Sequence, residues 1–223
     1  MMVSVQWLGH AAFKISSGQT AVYVDPFLTG NPTATLRPEE VKDAKLILVS
    51  HDHFDHLGDA NSIAKRTNAA VVAVPEVAAA YFEGLKAVAP NMGSYVDVDG
   101  VKVALVPAFH TCSKGFPVGF LINLDDKTIY HAGDTSLFGD MRLIGEVYRP
   151  DVALLPIGGY YTMGPLEAAV AVSLIKAKVV IPMHYATFPV LVKDAKPFID
   201  EVARRSPDVR VVVLKPGESY ELP

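Results

Sequence analysis

The 223-residue chain reads as an α+β protein in which two β-sheets pack face to face with helices outside. Three observations predict this. Half of the residues are hydrophobic and 20% are charged, which is enough to bury a substantial core. Short alternating or continuous apolar runs of strand length recur along the whole chain, about a dozen in all. Strand runs open each half and helical runs come later, a rhythm that fits two sheets better than one doubly wound parallel sheet. No linker or short repeat divides the chain, so residues 1–223 are expected to form one domain.

Strand patterns at 3–8, 12–16 and 21–24 open the chain, separated by Gly9-His10 and Ser17-Gly18-Gln19. A Gly, Asn, Pro and Thr-rich loop spans 27–38. A short buried strand at 46–49 then runs into a polar loop at 51–56. A helix is expected at 59–67, a strand at 70–74 and a helix at 75–84, opened by Pro75. The second half repeats this, with strands at 101–106, 119–124 and 128–131 and a helix at 141–147. A strand at 152–156, a helix at 166–175 behind Gly164-Pro165, a strand at 179–182 and a helix at 194–204 follow. Strands at 209–214 and 219–222 close the chain.

Composition narrows the function classes. Lys and Arg number 20 against 24 Asp and Glu, a net charge of −4 with a pI near 6.0. Binding nucleic acid or anionic lipid through overall charge would call for the opposite balance. The single cysteine, Cys112, excludes an intramolecular disulfide and a Cys-rich zinc module, and fits a reducing compartment. No apolar run approaches the roughly 18 to 20 residues of a membrane span. The chain enters strand pattern at Val3, Val5 and Trp7 without a basic start and apolar stretch, so no secretory leader and a cytoplasmic location are expected.

The seven histidines are unevenly placed. Three of them lie in His51-Asp52-His53-Phe54-Asp55-His56, directly after a buried strand. Delivering three imidazoles and two carboxylates from the core into one loop is costly unless something organises them. Imidazole nitrogens and carboxylate oxygens are ligands for zinc and similar metals, whereas a solvated polar turn would not need this clustering. His110, Asp134 and His184 each follow the end of an expected strand, where ligands can converge on one edge of a sandwich.

His-x-His-x-Asp-His, a separate His, Gly133-Asp134-Thr135 and a final His, in this order over nearly the whole chain, resemble the metallo-β-lactamase superfamily. Trp7-Leu8-Gly9-His10-Ala11, Val24-Asp25-Pro26, the stretch from Pro156 to Pro165 and Pro182-Met183-His184-Tyr185-Ala186-Thr187-Phe188-Pro189 narrow the resemblance. They are similar to a family of small metal-dependent hydrolases related to the L-ascorbate-6-phosphate lactonases. The resemblance implies a four-layer αββα sandwich with two metal ions at one edge. It implies a first site of His51, His53 and His110, a second of Asp55, His56 and His184, and Asp134 as the bridge. Two cations sharing a water acidify it into a nucleophile and accept negative charge developing on the substrate. Asp55 is the candidate catalytic residue, binding the second metal and orienting the hydroxide. Zinc is the first expectation, with manganese, nickel and iron as alternatives. His53 stands where a Glu would resemble the di-iron oxygen-reducing branch, and Asp134 stands where common zinc β-lactamases place Cys.

Other residues keep two readings. His10 is either a partner to the metal ligands, alongside Asp25, or a buried structural histidine. His131 reads more readily as structural, and Asp52 as lying outside the ligand set. Cys112 is either a small buried side chain or a thiol near the metal. At least one of Tyr160, Tyr161 and Met163 is expected to line the substrate pocket, with the helix start at Pro165 meeting an anionic substrate group. The expectation is therefore a hydrolase acting on a small ester, lactone or phosphoester, phosphorylated sugar derivatives being favoured by the lactonase resemblance alone. An RNA or nucleotide phosphodiesterase and a non-enzymatic metal-binding protein are the rivals. A small-molecule substrate is expected, with no membrane, nucleic acid disfavoured and a homo-oligomer left open.

Overall fold

The computed structural model describes residues 1–222; Pro223, the last residue of the expected domain, lies outside them. The first sheet is built from β1 (Val3–Gly9), β2 (Ala12–Ser17), β3 (Thr20–Val24), β4 (Leu46–Leu48), β5 (Ala70–Val72) and β6 (Ala87–Val88). The second comprises β7 (Val96–Val98), β8 (Val101–Pro107), β9 (Val118–Leu124), β10 (Lys127–His131), β11 (Val152–Pro156), β12 (Val179–Met183) and β13 (Arg210–Val211). The last strand, β14 (Ser219–Leu222), returns to the first sheet and pairs antiparallel with β1. The strand orders are β14-β1-β2-β3-β4-β5-β6 and β13-β12-β11-β10-β9-β8-β7.

The two sheets share one plan. From β1 and from β8, two antiparallel pairings are followed by three parallel ones. The central strands β4, β11 and β12 are buried at every position, which is why they read as continuous apolar runs. At the start of β1, Val3 and Val5 point inward while Ser4 and Gln6 are half-buried, the period-two pattern of a strand covered on one side. A continuous core runs from Val3 to Leu222.

The helices are α1 (Phe54–Leu57), α2 (Ala60–Thr67), α3 (Pro75–Tyr81), α4 (Met141–Tyr148), α5 (Pro165–Ile175) and α6 (Lys196–Arg205). Helix α2 packs on β5 and α5 on β11, with α4 and α6 beside α5. Each sheet thus carries its own helices, and the αββα sandwich is the architecture observed. No helix among the described residues is long and apolar enough to cross a membrane.

Several expected boundaries move. The loop expected at 51–56 contains a one-turn helix, α1, which begins within the polar cluster. The strand expected at 209–214 pairs only over Arg210–Val211, and the helix expected at 75–84 ends at Tyr81. Strands β6 and β7, of two and three residues, were not expected. Helix α1 ends at Gly58, with φ +43°. A Cβ there would lie 2.5 Å from the Pro26 carbonyl oxygen and 2.7 Å from Phe27 Cα, so only glycine lets α1 close against the end of β3.

Candidate metal centre

The seven ligands expected from the sequence converge on one edge of the sandwich. They come from loops after β4, β8, β10 and β12 and from the short helix α1. Ligand atoms of His51, His53 and His110 lie within 4.8 Å of one another. Those of Asp55, His56 and His184 do too, joined by His10. Asp134 stands between the two sets. Its Oδ2 is 3.2 Å from His184 Nε2 and 3.5 Å from His110 Nε2, while Oδ1 is 3.1 Å from His56 Nε2.

Several of these polar atoms have no use in the protein alone. His56 Nε2, His184 Nε2 and Asp134 Oδ1 are buried and, though close to one another, form no hydrogen bond of good geometry. The Nε2 of His51 and Nδ1 of His53 face each other at 3.0 Å, with His110 Nε2 3.3 Å from the latter. Imidazole nitrogens turned inward at this spacing suit a cation. Burial disfavours charge on His56, but Asp134 and Asp25 outweigh it and hold the ring well above the usual histidine range. Burial would raise Asp134, yet His184 and His56 hold it well below the usual carboxylate range. The residues therefore fit a divalent metal, because the carboxylates draw onto His56 the positive charge that a cation would bring.

Buried groups behind the ligands set their tautomers. Asp25 accepts hydrogen bonds from the Ser50 backbone N–H (2.8 Å), Ser50 Oγ (2.6 Å) and His56 Nδ1 (2.7 Å). Ser50 Oγ, its proton committed to Asp25, accepts from His51 Nδ1 at 3.0 Å. With both Nδ1 atoms engaged as donors, Nε2 is the nitrogen that His51 and His56 turn to the centre, and His56 would release its Nε2 proton to a cation. Asp25 is fully buried and has φ +45°, a left-handed conformation held in place by these three bonds.

His10 belongs to this layer as well. Burial pushes its ring down to about 4, so it is neutral at pH 7. Its Nε2 donates to Asp55 Oδ2 at 3.0 Å and its Nδ1 accepts from Thr187 Oγ1 at 2.6 Å. The His10 carbonyl also receives the backbone N–H of His184, at 3.0 Å. For Asp55, burial pushes upward, but the His10 hydrogen bond and the charge of His56 hold it below the usual carboxylate range.

His131 is structural. It donates from Nε2 to the Ala11 carbonyl (2.8 Å) and accepts at Nδ1 from the Gly133 N–H (3.1 Å), which uses both nitrogens. Asp52 lies outside the ligand groups and clamps the ligand loop: it accepts from the Ser113 N–H at 2.8 Å and from Tyr81 OH at 3.0 Å. Cys112 is partly exposed rather than buried, and donates to the Lys114 carbonyl at 3.3 Å. Burial and Asp52 push its thiol up, away from a ligating thiolate.

A cavity of about 430 Å³ opens over the centre, and five of its nine lining residues are candidate ligands. Tyr161 lines it, Tyr160 packs edge-on against Tyr161, and Met163 is buried in the core. Sequence reasoning missed Phe54 and Phe188 as walls; Phe54 was visible as the apolar residue inside the polar cluster. At the start of α5 the Glu167 carboxylate accepts the Gly164 N–H at 3.1 Å, which sets a negative charge beside the helix end expected to meet a substrate anion.

A fold of this kind with a His and Asp centre at the sandwich edge defines a metallo-hydrolase class, and the comparisons agree. A family model described as a beta-lactamase superfamily domain matches residues 4–184, a span that includes all seven candidate ligands. A UPF0173 metal-dependent hydrolase of Archaeoglobus fulgidus is 49% identical over 98% of this chain and 99% of its own. One of Korarchaeum cryptofilum is 48% identical over 99% and 100%. The structure of Igni18, a metallo hydrolase of Ignicoccus hospitalis, is 37% identical, with a TM-score of 0.93 over 100% of this chain and 99% of that one. The chain belongs to the UPF0173 metal-dependent hydrolases of the beta-lactamase superfamily.

Proposed function

We propose that this metal-dependent hydrolase works with two divalent cations as a single domain over 1–223, on a small ester, lactone or phosphoester. His51, His53 and His110 hold one cation, Asp55, His56 and His184 the other, and Asp134 spans both. The observation that carries this is the pair of ligand groups with Asp134 in reach of each. The continuous core from Val3 to Leu222 supports the single domain. Five imidazoles and two carboxylates suit zinc, with manganese, nickel and iron as alternatives.

When bound, the cations supply an acidified water and a seat for negative charge developing on the substrate. The protein's own residues do the rest. The Asp25 and Ser50 network keeps His51 and His56 in the tautomer that turns Nε2 inward. His10 occupies Asp55 Oδ2 with a hydrogen bond, which fixes the carboxylate's orientation. Asp55 stays ionised and is the group proposed to orient the attacking water, while the cavity walls seat the substrate against it. Metal analysis after loading is expected to saturate near two ions per chain. Saturation at one ion would overturn the two-cation assignment.

A further inference from the structure

The cavity above the centre carries information about the substrate that the ligands do not. Besides candidate ligands, its lining consists of Phe54, Tyr161, Phe188 and Thr111. The aromatic walls support one another: the Phe54 ring lies 5.7 Å from Phe27 and 6.2 Å from Phe188, and Phe188 lies 5.0 Å from the His10 ring. Phe54 is 69% exposed and Tyr161 50%, although both are large apolar side chains beside a polar centre. Leaving them uncovered carries a solvation cost that a bound apolar group would remove.

Beside the wall, the Lys193 ammonium donates to the carbonyls of Phe188 (3.1 Å) and Pro189 (2.8 Å). The start of α5 carries the Glu167 carboxylate, which accepts the Gly164 N–H and disfavours an anion there. Besides the candidate ligands, the Thr111 and Tyr161 hydroxyls are the polar side-chain groups of the lining, and no lysine or arginine is part of it. With its lactone carbonyl at the cations, a phosphorylated sugar would place its hydroxyls and dianion against aromatic rings, away from any cationic side chain of the lining.

We infer that the substrate is an uncharged ester or lactone bearing an aromatic or branched aliphatic group, which packs between Phe54, Tyr161 and Phe188. This rests on the hydrolase reading above and replaces the phosphorylated sugar expected from resemblance alone. In the reaction, water adds to the carbonyl and the acyl–oxygen bond breaks. The leaving oxygen takes up a proton, giving a carboxylic acid and an alcohol, which for a lactone are two ends of one molecule.

The test compares three lactones on the metal-loaded full-length protein: dihydrocoumarin, γ-butyrolactone and 6-phosphogluconolactone. Dihydrocoumarin is expected to have a kcat/KM at least about tenfold above the other two, the scale on which apolar pockets discriminate. Tyr161→Ala and Phe188→Ala are each expected to lower that value about three- to tenfold and to narrow the margin over γ-butyrolactone, with metal content near wild type. Calorimetric binding of phenylacetamide and of glucose 6-phosphate to the same protein supplies a readout independent of turnover. Preference for the phosphorylated lactone, or tighter binding of glucose 6-phosphate, overturns the inference while leaving the hydrolase reading intact. Phenylacetamide binding that both alanine variants weaken, without turnover of any lactone, supports the cavity's assignment and overturns the lactone reaction. Neither binding nor turnover overturns both.

Discussion

Replacing Asp25 with Asn alters no proposed ligand, yet it should disable the centre. The carboxylate accepts three hydrogen bonds, two of them at Oδ2, from Ser50 Oγ and His56 Nδ1. In Asp25→Asn the amide oxygen must stay at the Oδ1 position to accept the Ser50 N–H, since the reverse orientation sets two donors against each other. The amide nitrogen then faces His56 Nδ1, which can only accept. The His56 proton moves to Nε2 and points into the centre, where a cation would need the lone pair. Ser50 Oγ turns to accept from the amide and no longer holds the His51 Nδ1 proton in the same way. Disturbing such a partner of a ligating histidine lowers metal affinity about 10- to 100-fold, or about 1.4 to 2.7 kcal/mol. Exchanging two charge-assisted bonds for neutral ones costs a further 2 to 3 kcal/mol or so of stability. That corresponds to a Tm lower by roughly 4 to 12 °C for a domain of this size. Competition against a chromophoric chelator, with melting curves of metal-free protein alongside, measures both quantities. Wild-type metal affinity in a folded Asp25→Asn protein would refute the tautomer argument.

Two further outcomes are expected. Asp134→Asn should leave the fold near wild type but drop the metal content toward one ion per chain, read by elemental analysis beside circular dichroism; a variant retaining two ions and full hydrolysis would count against Asp134 as the bridge. For His131, burial lowers the folded-state pKa below the usual histidine value, so as pH falls below about 6.5 the unfolded chain takes up the proton first and stability drops through that window. His131→Gln should flatten this loss between about pH 6.5 and 5 in urea midpoints, and parallel curves for the two proteins would contradict it.

The clustering of the candidate ligands was legible because three histidines in six residues after a buried strand are costly unless something organises them, while their division into two sets came from the resemblance. The central strands were legible for a related reason, since β4, β11 and β12 are buried throughout and leave unbroken apolar runs. Helix α1 was hidden because its single turn, Phe-Asp-His-Leu, has too few residues to show a period and lies within the polar cluster. The strands β6 and β7 escaped for lack of length and burial. Within the centre, Asp25 could be suspected from its sequence, but the intervening Ser50 could not, because a serine after a strand has many other uses. The aromatic wall was out of reach for a different reason. Phe54 and Phe188 are far apart in the chain and meet only when the loops after β4 and β12 are brought to one edge.

The repeated strand plan gives the two halves corresponding positions. His10 follows β1 as His110 follows β8, and Asp25 follows β3 as Asp134 comes soon after β10. In the first half these two residues stand behind the ligands, whereas in the second they face the centre. His51, His53, Asp55 and His56 belong to the first half, and His110, Asp134 and His184 to the second. Neither half owns a complete proposed site. A cation in either position would therefore be tied to both sheets at once, acting as a rivet along one rim of the sandwich. Its binding free energy would count toward holding the halves together as well as toward chemistry, so loss of metal should loosen that rim before it loosens the apolar interior.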